Sequence, residues 1–375
     1  MNTIAMQSMI NESSVRPAQP CSNSKHACAV SLPYCVLRAS FRTESEIRFP
    51  QNPVNTLRGG LGFHLKRAVC FHRARTAEGE LVACAGCLLE KNCVYALLME
   101  TAAPGTEAEL ATGGARETPR PMHFAAEFAG PICLAPGDTF MFIITLFGRA
   151  SEAIPYLIFA LKELGQHGFT REQIRAPLDE VRMLGELSPM VYKRGVERLE
   201  PIVPDVLSLV PPLVSEADET RDVELRFLTP VSFKDKQTGK VSNLPDFSRL
   251  IGSILRRLTS LCVVSGIPAP QWDFTGIMEQ ARTVQTVDVN GRFVRWERYS
   301  QRQHQRSYWG GMVGNVVYRG RLAPFLPLLR AGEIFHVGRG ISFGQGRYRI
   351  QRIAVPEGDA CSTEHPDSEP IFLWE

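Results

Sequence analysis

Hydrophobic and polar positions change period along the chain in a repeated order. Cys28 to Ile47 is rich in Val, Leu, Tyr and Phe and predicts strand, ended by Pro50 and Pro53. From Asn55, an N-cap residue type, Leu57, Leu61, Leu65 and Ala68 recur at helical spacing. Gly59, Gly60 and Gly62 lower helix propensity there and suit close backbone packing. A cysteine-bearing loop (72–93), a short strand at Val94 to Glu100 and a Gly, Ala and Thr-rich insertion to about Pro121 are expected next. Asp138 to Gly148 reads as a buried strand. Glu152 to Leu164 reads as a helix that tolerates Pro155 near its start.

Residues 201 to 221 carry four prolines and several acids, the composition of a linker, which sets a boundary near 220. Beyond it the pattern repeats. A strand is expected at Val223 to Phe233, a helix at Asp246 to Val264, and strands around Thr283 to Val289, Phe293 to Tyr299 and Met312 to Tyr318. A short helix near Leu322 to Arg330 and a last strand follow. Each half reads as a split β-α-β unit, so the expected class is α+β, two tandem ferredoxin-like (RRM-like) domains. The divisions are a disordered lead-in (1–25), an N-terminal domain with the cysteine-bearing loop (26–220), a C-terminal domain with a glycine-rich loop (221–355), and a tail (356–375).

Composition adds to this in two places. With 44% hydrophobic and 22% charged residues the 375-residue chain is globular. Its apolar runs are too short to span a bilayer, Phe140 to Phe147 being followed at once by Gly148 and Arg149. The polar start carries no secretory h-region and ten cysteines are sparse for a disulfide scaffold, so a cytoplasmic, reduced protein without a membrane partner is expected. The net charge of +3 hides an asymmetry: residues 249 to 349 hold 15 Arg, no Lys and 5 acids, a net +10. That points to a polyanion, since guanidinium grips phosphate with two parallel hydrogen bonds and stacks on bases. A solvated basic face is the plain alternative.

Gly332 to Ile350, GEIFHVGRGISFGQGRYRI, is a glycine-rich loop running into a strand. Glycine lets backbone N–H groups approach phosphate oxygens, and Arg339 and Arg347 add charge, so Gly338, Gly340, Gly344 and Gly346 join the candidate RNA contacts. The order GxxxxGK[ST] is absent, which excludes a P-loop. In the helix FSRLIGSILRRLTSL, Leu250, Ile254, Leu258 and Leu261 form the buried stripe, leaving Arg249, Arg256 and Arg257 on other faces to grip phosphate or only to solubilise. Trp296, Tyr299, Tyr308 and Trp309 interleave with Arg295, Arg298, Arg302 and Arg306, a pattern suited to stacking unpaired bases.

The glycine-rich segment resembles the C-terminal signature of the CRISPR-associated RAMP endoribonucleases, bacterial branch. YSQRQ at Tyr299, YRGRLAPFLPLLRAGE at Tyr318, LRGGLGFHLKRAVC at Leu57, CAGCLLEKNCVYALLME at Cys84 and PGDTFMFIITLFGRASEAIPYLIFAL at Pro136 are similar as well, so the resemblance covers most of residues 45 to 353. It implies cleavage of precursor CRISPR RNA within repeats without catalytic metal, by 2′-hydroxyl attack that leaves 2′,3′-cyclic phosphate and 5′-hydroxyl ends. Its implied partners are repeat RNA and other effector subunits. A non-catalytic RAMP subunit that binds guide RNA is the rival reading, and a small-molecule phosphate enzyme is a third.

The chemistry needs a base, an acid and a cation, and histidine titrates nearest neutrality. Of eight histidines, His26, His123, His167 and His365 fall in flanking stretches, by an insertion or after a helix end. His64 is favoured by the family's use of the first helix. It borders the buried stripe with Arg67 as its helical neighbour, while Lys66 points to the opposite side. His336, in the glycine-rich signature, is the rival, ahead of His72 and His304. Cys84-x2-Cys87-x5-Cys93, with Cys70 or His72 upstream, has ligands enough for a structural zinc, the alternative being a cysteine-rich turn packed on the first helix.

Overall fold

The computed structural model describes residues 29–354 except 51, 71–83, 85–86, 101–119, 128–129, 186–187, 197, 235–238 and 301–304. The expected lead-in and tail lie outside the described residues. Its elements form two β-α-β-β-α-β units. The first comprises β1 (Val30–Arg42), α1 (Pro53–Val69), β2 (Met122–Ala126), β3 (Thr139–Phe147), α2 (Ile154–His167) and β4 (Leu178–Leu184). The second comprises β5 (Arg221–Val231), α3 (Phe247–Val264), β6 (Gln285–Ser300), β7 (Gln305–Gly320), α4 (Leu326–Phe335) and β8 (Tyr348–Ala354). The strand orders are β2-β3-β1-β4 and β6-β7-β5-β8. In each the first strand lies between the third and the fourth, antiparallel throughout, which is the ferredoxin-like arrangement.

Alternation along the central strands decides what each sheet buries. Cys35, Leu37, Ala39 and Phe41 of β1 and Phe140, Phe142, Ile144 and Leu146 of β3 face α1 and α2, meeting Leu57, Leu61, Leu65, Leu157 and Leu161. In the second unit Val223, Leu225 and Phe227 of β5 meet Leu250, Ile254, Leu258 and Leu261 of α3.

The opposite face of the first sheet is where the units join. Val30 and Leu32 of β1, with Phe147 at the end of β3, belong to the second unit's core. Phe147 packs edge-on against Phe335 of α4 at 5.6 Å. Just after it, Gly148 takes φ +53, and a Cβ there would lie 2.1 Å from Ser265 Oγ at the end of α3, so glycine permits the approach. The second unit therefore packs α3 and α4 against the first sheet at Phe147 and Gly148.

Four expectations need correction, and one helix lies where none was expected. Val94–Met99 is a helix, because it covers α1 instead of pairing with a sheet. The presumed linker contains a strand, Asp205–Leu209, paired with the first half of β1. The expected strands Thr283 to Val289 and Phe293 to Tyr299 are one long strand, β6, in a hairpin with β7. A helix at Phe274–Thr283 had no expectation. Ala68, assigned to the buried stripe of α1, is exposed near its end. No helix among the described residues is long and apolar enough to cross a membrane.

Candidate active site

Helix α1 starts where Asn52 accepts a hydrogen bond from the Val54 amide (3.2 Å), with Pro53 at the first turn. Gly60 lies against α2, where a Cβ would come 2.4 Å from Leu164 Cδ1. That proximity sets His64 beside the C-terminal turn of α2. Its ring centre is 5.0 Å from that of His167 and 5.2 Å from that of Phe63. His64 is 7% exposed, whereas His167 is exposed, with Nδ1 2.9 Å from the Glu163 carbonyl and 3.8 Å from its carboxylate.

Burial pushes the His64 pKa down, His167 and Arg67 push the same way, and Glu163 opposes them, so the imidazole is neutral at pH 7. Arg67 is exposed and lies over the Phe63 ring at 5.6 Å. Lys66 is not turned to solvent: it is buried with its ammonium over Tyr95 at 5.0 Å, because the helix at 94–99 covers that side.

His336 belongs to a different place. It follows α4 at φ +57, buried, with its ring 4.3 Å from His123 of β2 in the other unit. Burial holds both imidazoles well below the usual range, and Arg257 and Arg347 push them further. The expected trio His64, Arg67 and His336 thus separates into a pair on α1 and a residue in the joint between units. Arg257, expected on a free face of α3, is also in that joint, over the Phe147 ring at 5.9 Å.

The glycine-rich loop owes its glycines to shape. Gly338, Gly340, Gly344 and Gly346 all take φ between 72° and 78°. Three of their amides, expected to face phosphate, already donate within the protein: Gly338 to Ser253 Oγ, Gly344 to the Ile341 carbonyl and Gly346 to the Pro230 carbonyl. What the loop offers outward is side chains. Arg339 lies over Trp309 at 5.8 Å and Arg58 of α1 over Phe343 at 4.7 Å. The Arg347 guanidinium reaches the Ala126 carbonyl (3.5 Å), and burial lowers its pKa to about 10. Arg249 pairs with Asp246 at 3.1 Å, and Arg256 is exposed. Arg302 and the Arg306 side chain lie outside the described residues, as do His26, His72, His304 and His365.

Among the described residues, Cys70, Cys84, Cys87 and Cys93 take part in no disulfide, and burial raises the pKa of the Cys84 thiol. Among the described residues, the one set of three or more such groups with ligand atoms within 4.8 Å of one another is His64, Glu163 and His167, not the cysteines.

Sequence reasoning missed several residues. The sequence alone places His167 after a helix end, yet its spacing of four from Glu163 at the end of α2 is a readable signal. Arg38 and Arg182 are register partners in the first sheet, and Arg226 and Arg349 in the second, at equivalent strand pairs of the two units. Only the register reveals that duplication.

Residues 32–203 match the N-terminal domain family AF_1859_N, and residues 225–348 match the family described as CRISPR-associated endoribonuclease Cas6. No curated protein matches the chain. Among solved structures, a Cas6 product complex is similar at 17% identity and TM-score 0.48, covering 84% of this chain and 99% of that one. A Thermus thermophilus Cas6 is similar at 16% and 0.45, covering 85% and 98%. A partial Cas6-RT-Cas1–Cas2 complex is similar at 12% and 0.49, covering 85% and 46%.

Proposed function

We propose that the protein, whose residues 225–348 match the Cas6 family of CRISPR-associated endoribonucleases, cuts precursor CRISPR RNA within its repeats without a catalytic metal. His64, held neutral, takes the proton of the 2′-hydroxyl. The 2′-oxygen bonds to phosphorus, the bond from phosphorus to the 5′-oxygen breaks, and His167 hands that oxygen a proton. Cyclic phosphate and 5′-hydroxyl ends result. Arg67 balances the extra negative charge of the phosphorane. Repeat RNA is the substrate, and other CRISPR effector subunits in the cytoplasm are the protein partners.

The observation that carries this reading is the ring pair: a buried neutral imidazole 5.0 Å from an exposed one, with an arginine one helical turn away. The test is single-turnover cleavage of a repeat RNA in EDTA. Wild-type protein is expected to cut, with His64→Ala and His167→Ala each slower by about 10²–10⁴-fold at unchanged RNA affinity. Tight binding with intact RNA in wild type supports instead a non-catalytic RAMP subunit. Cleavage that disappears in EDTA and returns with a divalent ion sinks the metal-free mechanism.

A further inference from the structure

The joint between the units carries a charge problem that the proposed cleavage chemistry leaves aside. Arg257 of α3 is 6% exposed, and its Nε and Nη2 have no hydrogen-bond partner. His123 of β2 is 1% exposed with both ring nitrogens unpartnered, and His336 is 5% exposed with Nδ1 unpartnered. The two rings lie 4.3 Å apart, and Arg257 and His123 approach Phe147 from either unit at 5.9 and 5.7 Å.

Further cations surround this group. Arg120 acts on Arg257, and Arg347 acts on both histidines. Glu127 faces Arg38, Arg347 and Arg349, and no carboxylate of the described residues is among the groups acting on Arg257, His123 or His336.

A buried guanidinium with no carboxylate acting on it and with Nε and Nη2 lacking an acceptor is costly, and the chain places near it two imidazoles that each offer a further N–H. Water would satisfy the donors and leave the charge. A tetrahedral oxyanion would supply both, a counter-charge and several acceptor oxygens.

We infer that Arg257, His123 and His336 form an anion site between the two units that takes one phosphate-class oxyanion, supplied either as free inorganic phosphate or as one phosphodiester of a bound RNA strand. The site ties α3 and the glycine-rich segment to the first sheet, so its occupancy stiffens the joint. It does not depend on the cleavage chemistry assigned to His64.

The probe is inorganic phosphate, titrated into RNA-free full-length protein at fixed ionic strength with sodium chloride as the balance, reading the melting temperature. Wild type is expected to rise saturably by about 3 °C. Arg257→Met removes the uncompensated charge and keeps the volume, so it should melt at or above the wild-type temperature in chloride and lose the phosphate response. Arg257→Lys keeps a charge but not the fork, and should need at least ten times more phosphate for the same rise. An equal rise in wild type and Arg257→Met, or none in wild type, overturns the site. In a second arm, phosphate competes with an uncleavable 2′-deoxy repeat oligonucleotide. Competition in wild type that is lost in Arg257→Met supports an RNA phosphodiester as the natural occupant, and undiminished oligonucleotide binding supports the free anion.

Discussion

Acidifying the protein from pH 7 to pH 5 is expected to loosen the joint between its units. His123 and His336 are both fully enclosed there, and burial together with Arg257 and Arg347 keeps their folded pKa values well below the ordinary imidazole value. In the unfolded chain both titrate near 6.5. The unfolded state therefore binds more protons below that pH, and stability is whole above it and falls as the pH drops. Each group contributes a slope approaching ~1.4 kcal/mol per pH unit. Integrated from pH 7 to pH 5, that is at most about 2 kcal/mol per histidine and roughly 4 kcal/mol for the pair. Against a total stability of about 5–15 kcal/mol, such a loss is large. Urea melts in phosphate-free buffer at pH 7, 6 and 5 measure it. His123→Phe should cut the loss by about half, because one titrating group is gone. A wild-type loss under about 1 kcal/mol, or an unchanged loss in His123→Phe, refutes the claim that these imidazoles stay neutral.

Gly346→Ala should destabilise by more than about 3 kcal/mol in the same melts, since φ is +74 and the new Cβ would fall 1.7 Å from the Val337 carbonyl oxygen. A near-wild-type melt would mean the loop's shape is not what glycine provides. Arg339→Ala, removing the guanidinium over Trp309, should weaken RNA binding and reduce the log–log salt slope by about one, read by filter binding from low to high salt. Arg319→Met breaks the two-pronged contact to Asp222 (2.7 and 2.6 Å), and because Arg319 is half exposed, solvent screening should keep the loss of stability small in the same melts. Arg319 holds the Asp222 carboxyl below its usual pKa, so the wild-type advantage exists above the ordinary carboxylate range. It should vanish as pH falls through the lowered value.

The period of the apolar positions was enough to foretell both units, since each central strand and each long helix buries one face of its own sequence. Leu57, Leu61 and Leu65, or Leu250, Ile254 and Leu258, announce their side without knowledge of what covers it. The chain alone also revealed the Arg-rich half and the helix bearing His64. It could not reveal Val94–Met99 as a helix, because a short apolar run fits either period and only its packing on α1 decides. Nor could it pair His64 with His167 or His336 with His123. Those residues lie far apart in sequence, and proximity across elements follows from register and helix docking. The glycines at 338, 344 and 346 were visible as letters. The Gly344 amide closes a local turn on the Ile341 carbonyl, but that the Gly338 and Gly346 amides turn inward is decided by tertiary hydrogen bonds that no local pattern encodes.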